Sequence, residues 1–487
     1  MQKESITNLL KRIEFWIVFF LLIRLVGITN PPLEIGHNWR QVTGLMVARN
    51  YIEVDDNILY PRIDDNQGGT GIIGMEFPTM NYIYFLITKI FGYTHWYGRL
   101  INLIISSIGV FFFYKILKKY FDPQHAFIST ICLIGSIWFA FSRKMMPDTF
   151  CISLMMIGVY YGTEYLDFGK LRNIFLFVSF SSIAILSKIP AGIYLIIFIP
   201  LFFYNKNLKQ KLILAFSSLI PLSLTYFWYF IWNPKLSAQS GIWYNSGKEL
   251  SVGFNEVISN LGLVAEKFYF SAFSSYLLFS FFIAGLFLIF YKKKKTLIYP
   301  FIFLTAIFII YIFKSGFFFY HHNYYIIPFV PVMSLIAGYT ISLIKKKWIF
   351  ISILAFGIIE SIANQQHDFF IKNSEKYKLE LEAIADSICK RNDLIAINGN
   401  ENPQMIYLSH RKGWTYNDQQ LNDSTFINDI SKKGCKYIFI NKHSFKGSIK
   451  QEVVFENSNF IIYKLDFFLK NNISMSHKNF QFIDLTL

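Results

Sequence analysis

The segment NPPLEIGHNWRQVTG, residues 30–44, brings Glu34, His37, Trp39, Arg40 and Gln41 within eight positions. A carboxylate or an imidazole so placed could take a proton from a hydroxyl or help to hold a divalent metal ion, and a guanidinium or ammonium could bind phosphate. Groups of the same kind recur along the chain: Glu76 in MEFP, Arg143, Lys144 and Asp148 in SRKMMPDT, Lys188 in SKIPAG, and His321, His322, Tyr324 and Tyr325 in YHHNYYIIP. Each also has an ordinary structural reading. Glu34 could be a solvated loop acid and His37 a structural imidazole, and Arg40 could pair with Glu34 or Glu76. Asp148 could cap a helix, and the histidine pair could belong to an interfacial aromatic belt.

Weaker signals carry no chemistry. Asp64-Asp65-Asn66 reads as a turn, and Gly68 to Gly71 has neither a preceding strand nor a following GK[ST], so it is not a nucleotide loop. Cys132 and Cys151 lie in apolar runs and Cys389 and Cys435 in the polar tail, with no metal-ligand spacing among them.

The elements that must position these residues follow from composition. Of 487 residues, 53% are hydrophobic and 19% aromatic, with only 16% charged, which fits an integral membrane protein and not a soluble one. The net charge of +16 does not point to nucleic acid, because the lysines fall in short clusters between apolar runs. A span needs about 20 apolar residues. Candidate spans fall at 13–29, 99–117, 124–142, 149–166, 173–187, 190–204, 212–232, 268–290, 297–313, 324–344 and 348–362. The first has no small-residue cleavage site after it and reads as an uncleaved span.

With a cytoplasmic N-terminus, the inside loops carry Lys3/Lys11/Arg12, Lys115/Lys118/Lys119, Lys170/Arg172, Lys206/Lys209/Lys211, Lys292 to Lys295 and Lys345 to Lys347. The first outside loop holds three Arg against seven Asp or Glu, so charge supports the alternation. The polar residues listed above then converge on the outer face. Two short passes around SKIPAG put Lys188 within the outer half of the membrane, beside a cavity that tolerates it. Residues 76–92 read as an interfacial or re-entrant helix. From about residue 363 the composition changes, and DLIAING, KYIFIN and FIIYKL are strand-like. The expectation is an α-helical integral membrane protein of about eleven spans, residues 1–362 with a first outer loop at 30–92, followed by a small α/β domain at 363–487.

The ordered motifs HNWRQVTGLMVARN, YPRID, MEFPTMNYIY, GRL, MPDT, LSKIPA and HHNYYIIPFVP resemble the bacterial polytopic glycosyltransferases of GT-C fold, in the broad group of protein O-mannosyltransferases and aminoarabinose (lipid A) transferases. The resemblance covers residues 10 to about 345. It implies a hexosyl- or pentosyltransferase of the bacterial inner membrane that takes a sugar from a polyprenyl-phosphate donor. The acceptor, a lipid, glycan or protein, attacks at the periplasmic or external face with inversion. It further implies a catalytic acid in the first outer loop, where Glu34 and His37 are rival bases, and Asp148 in the second. Arg40, Gln41, Glu76, Arg143, Lys188, His322 and Tyr325 are then substrate-binding. Two departures stand out. Where relatives carry an Asp-Glu pair this chain has Arg40 and Gln41, and Glu76 stands where many relatives have a lysine. A divalent metal ion is an open possibility for the carboxylates. The rival readings are a polymerase or ligase using a pyrophosphate-linked donor, and a lipid-linked sugar transporter; the latter class often shows repeated broken helices, and only one break is visible.

Overall fold

The computed structural model describes residues 8–204, 207–240 and 247–465. Lys3 and Lys206 of the basic loop clusters lie outside the described residues. The chain divides into two compact units, one of residues 1–63 and 72–376 and the other of residues 64–71 and 377 onward.

The first unit is helical, and each of the eleven apolar segments contains a helix, although 124–142 breaks after Gly135 and 268–290 breaks between Ser271 and Tyr276. These are α1 (Ile13–Arg24), α4 (Tyr97–Tyr120), α5 (Pro123–Gly135), α6 (Pro147–Phe168), α7 (Leu171–Ser187), the run Ile189–Tyr204, α8 (Leu208–Tyr226), α9 (Tyr276–Tyr291), α10 (Lys295–Ser315), α11 (Val330–Ser342) and α12 (Lys347–Gln365). The first outer loop adds α2 (Asn38–Glu53) and α3 (Thr79–Phe91). Among the described residues, five helices are long and apolar enough to cross a membrane, or six if the pair Leu261–Ser271 and Tyr276–Tyr291, bent by 102°, is one span.

Helix ends follow local chemistry. Pro123 opens α5 behind Asp122, whose side chain accepts the His125 amide, and Ser275 caps α9 in the same way. Gly169 takes a left-handed conformation (φ 64°) that stops α6. Small residues set the closest helix contacts. A Cβ on Gly109 of α4 would meet the backbone of Ser153 of α6 at 2.5 Å, and one on Gly338 of α11 would meet Ser129 of α5 at 2.6 Å. Without a hydrophobic driving force between helices in lipid, such close approach supplies packing energy. Asn102 of α4, fully buried, donates to the carbonyls of Phe141, Lys144 and Met146 at 3.1, 2.8 and 3.2 Å and so fixes the turn that precedes α6.

Residues 366–372, where the compositional change has already begun, pack in the first unit: Lys372 donates to the Leu33 carbonyl at 3.0 Å and Ile35 to that of Phe370 at 3.3 Å. The second unit is an α/β body around a five-stranded sheet of order β2-β1-β3-β5-β4. Its strands are β1 (Leu394–Ile397), β2 (Lys412–Thr415), β3 (Cys435–Asn441), β4 (Glu452–Glu456) and β5 (Phe460–Lys464). β1 runs parallel to β2 and β3, whereas β5 runs antiparallel to β3 and β4. Trp414, Leu421, Ile427, Ile430 and Ile438 form its core. Segment 64–71 runs along β2: Gly413 donates to the Asp64 carbonyl at 3.0 Å, and Thr415 to Asp65 at 2.8 Å. The Asp64-Asp65-Asn66 turn is thus part of this body. Burial pushes the Asp65 carboxyl up to about 6.

Candidate active site

The site is built where helix ends of the first unit meet. Pro147 starts α6 behind the extended Met146, so the N-cap is Met146 and Asp148 sits in the first turn without capping it. Its carboxylate is therefore left to turn towards α7, whose last residue is Ser187 and whose following residue, Lys188, breaks the helix before the 3₁₀ run Ile189–Ile197. Lys188 and Asp148 form a hydrogen-bonded ion pair, with side chains 12% and 4% exposed. The ammonium lies 4.8 Å from the centre of the Tyr324 ring and 5.4 Å from that of Tyr325, a cation–π arrangement that suits a desolvated lysine.

Beside this pair lies a second one. Arg40, in the first turn of α2, is bonded to Glu76, which precedes α3. Of the two partners the sequence allows for Arg40, the fold selects Glu76. The loop holding Glu76 is fixed by Phe77 N–H to the Leu186 carbonyl (3.1 Å), the Trp228 indole to the Met75 carbonyl (2.9 Å) and Ser187 to Thr79 (3.2 Å). Lys188 feels the charges of Asp148, Glu76 and Arg40 together, so the two pairs form one alternating cluster. Arg40, Gly44, Glu76, Asn81, Met145 and Ser187 line an adjoining cleft. One oxygen of each carboxylate, Glu76 Oε2 and Asp148 Oδ2, is buried with no hydrogen-bond partner among the described residues.

Glu34 occupies a different environment. It is fully buried, accepts from Gln41 Nε2 at 3.0 Å, and lies 3.5 Å from Arg99 and 3.8 Å from Arg143. Gln41 in turn accepts from the Met145 amide at 3.1 Å and from Arg99 at 3.4 Å. Arg143 donates to the carbonyls of Arg24, Val26 and Asp368 at 3.0, 2.8 and 3.3 Å, with its guanidinium over the Phe369 ring. Lys144 binds Asp368 at 2.7 Å and the Gly36 carbonyl at 3.1 Å. Glu34, Gln41 and Arg143 thus belong to a polar knot that ties the first outer loop to the α5–α6 turn and to residues 368–372.

His37 has a left-handed backbone (φ 59°) at the N-terminus of α2, and its ring packs against Tyr324 and Phe141 at 5.1 and 5.3 Å. Burial, then the Lys144 ammonium, pushes its imidazole down to about 3. His322 stacks on Tyr324 at 5.2 Å. Burial, then His321 and the cations Lys188 and Arg40, takes it down to about 4. Both rings are neutral at pH 7 and are weak bases. No group of three or more His, Cys, Asp or Glu side chains among the described residues is placed to hold a metal ion, and Glu76 and Asp148 each face a cation already.

The sequence brought Arg40, Glu76, Asp148, Lys188, His322 and Tyr325 forward, and the fold gathers them. It passed over Arg99 and the Lys144–Asp368 pair. The arginine of GRL was its one visible trace of the first, while the second joins residues 224 positions apart.

Residues 76–232, which include Glu76, Asp148 and Lys188, match the family model of dolichyl-phosphate-mannose-protein mannosyltransferase. Among curated proteins, no sequence match is found. Solved structures are similar over most of the chain. ArnT from Cupriavidus metallidurans bound to undecaprenyl phosphate matches with a TM-score of 0.60 at 12% identity, over 92% of this chain and 98% of that one. The Archaeoglobus fulgidus oligosaccharyltransferase in complex with Zn and sulfate matches at 0.53 and 12% identity, over 87% and 67%. AglB from the same organism, with an inhibitory peptide and a dolichol-phosphate, matches at 0.50 and 12%, over 88% and 69%. The chain has the GT-C fold seen in these membrane enzymes, and within it residues 76–232 are similar to the mannosyltransferase family model.

Proposed function

We propose that this protein is a multi-pass glycosyltransferase of the bacterial inner membrane, which moves a sugar from a polyprenyl-phosphate donor to an acceptor at the periplasmic or external face. The observation that carries the reading is the alternating cluster Arg40–Glu76 and Lys188–Asp148 beside a cleft, in a GT-C fold. Phosphate departure leaves negative charge that cations stabilise, and an incoming hydroxyl needs a carboxylate to take its proton. Arg40 and Lys188 supply the first function. The unpartnered oxygens of Asp148 and Glu76 supply candidates for the second. The similarity to ArnT bound to undecaprenyl phosphate supports a lipid-phosphate donor.

In this reading Glu34, sealed between two arginines, positions the outer loop, and His37 and His322 shape the site as neutral rings beside Tyr324. Tyr325 and Tyr324 present the Lys188 ammonium. A single displacement by the acceptor inverts the anomeric centre. The eleven apolar segments act as spans, with the N-terminus cytoplasmic and residues 363–487 external.

Mass spectrometry of lipids bound to the purified protein tests the donor, since carrier and sugar are read together; a polyprenyl phosphate bearing one sugar is expected, and a pyrophosphate carrier would overturn the reading. Reporter fusions at residues 120, 208, 294 and 400 test orientation. The first three should report cytoplasm, and a cytoplasmic signal at 400 would overturn the topology.

A further inference from the structure

Three carboxylates lie near the cleft, and their surroundings separate them. Glu34 is fully buried between Arg99 and Arg143. Asp148 has a side chain 4% exposed and faces Lys188. Glu76 is the most open, at 16%, and lines the cleft next to Arg40. Its Oε1 accepts from the Arg40 guanidinium, whereas Oε2 has no hydrogen-bond partner among the described residues. The loop that holds it is pinned on both sides by backbone and indole hydrogen bonds, so the carboxylate is fixed in place at the cleft wall, with Oε2 closed off from solvent while Arg40 holds Oε1.

Resting on the lipid-phosphate reading above, we propose that Glu76 is the base that deprotonates the acceptor, and that Arg40 masks it until the donor phosphate arrives. A guanidinium competes with a proton for the carboxylate it binds, and a phosphate competes with the carboxylate for the guanidinium. Donor binding at Arg40 and Lys188 therefore releases Glu76. The acceptor O–H then gives its proton to Glu76 Oε2 while the acceptor oxygen bonds to the anomeric carbon. The bond from that carbon to the phosphate oxygen breaks, and its electron pair leaves on the polyprenyl phosphate. After the phosphate departs, Glu76 passes its proton to water and pairs with Arg40 again. The acceptor is activated only when donor is present, so binding is ordered with donor first.

The test uses the full-length protein in detergent with undecaprenyl phosphate as the binding probe. Transfer is read in cells as the glycan that disappears on deletion of the gene and returns with the wild-type chain. Glu76→Gln should bind the probe at least as tightly as wild type while transfer falls by tenfold or more, within the roughly 10²–10⁴-fold range of general-base loss. Glu76→Asp should restore part of the transfer, and Arg40→Gln should lose both probe binding and transfer. Transfer by Glu76→Gln within about tenfold of wild type would overturn the proposal. So would loss of probe binding in both Glu76→Gln and Glu76→Asp, which marks a structural role. Failure of the wild-type chain to bind the probe would overturn the broader lipid-phosphate reading instead.

Discussion

Lys188 and Asp148 form an ion pair between the broken end of α7 and the first turn of α6, and the same ammonium faces the ring of Tyr324. Lys188 caps α7 through its backbone alone and Asp148 does not cap α6, so both side chains are left to pair with each other beside the cleft. Lys188→Met should abolish undecaprenyl phosphate binding and lower transfer at least as strongly as Asp148→Asn. Removing one partner of a buried pair costs about 3–5 kcal/mol, so a thermal melt must accompany each assay. Lys188→Arg, which keeps the charge, should retain the fold, and probe binding by Lys188→Met equal to wild type would refute the phosphate role.

Glu34→Gln should act mainly on stability. The carboxylate neutralises Arg99 and Arg143 in a fully buried knot, and its loss leaves two guanidinium groups without a counter-charge. A loss of about 3–5 kcal/mol is expected. Residual activity per folded molecule should stay close to wild type at low temperature. A stable but inactive Glu34→Gln protein would instead restore Glu34 as a catalytic candidate.

Acid should weaken the fold through His37 and His322. Both imidazoles are lowered in the folded chain, to about 3 and about 4, below the ordinary value of 6.5. The unfolded chain therefore binds more protons between these values, and the neutral rings contribute stability that is complete above pH 6.5 and lost as pH falls towards 4 and 3. The melting temperature should decline across that window, and His37→Asn with His322→Asn should flatten the decline. An unchanged slope in the double variant would show that other groups carry it.

Gly109→Val should loosen the site from a distance. Its Cβ would press on Ser153 Cα at 2.5 Å, forcing α4 from α6, the helix that begins with Asp148. A drop in melting temperature and in probe binding is expected, with a milder effect from Gly109→Ala. A melt unchanged in Gly109→Val would mean that the two helices separate without cost.

The helical character of the apolar segments and the charged residues that the fold gathers around the cleft could be picked out along the chain. Apolar runs and basic loops are local properties, so a helix could be placed in each apolar segment, and Lys188 stood out because a lysine in a broken helix pair is tolerated only beside a cavity, whereas Asp148 could equally have been a helix cap. The strands Leu394–Ile397, Cys435–Asn441 and Phe460–Lys464 were legible from their short apolar runs, whereas Lys412–Thr415 and Glu452–Glu456 were not, since KGWT and EVVFE carry no complete alternation. Only tertiary structure decided which charges meet. Glu34 lies nearer to Arg40 in sequence than Glu76 does, yet Arg40 pairs with Glu76 and Glu34 is drawn between Arg99 and Arg143. Residues 368–372 join the first outer loop across more than 300 positions. The physical reason is that a buried charge is stable only with its counter-charge in place, and the packing of distant helices, not spacing along the chain, brings the two together.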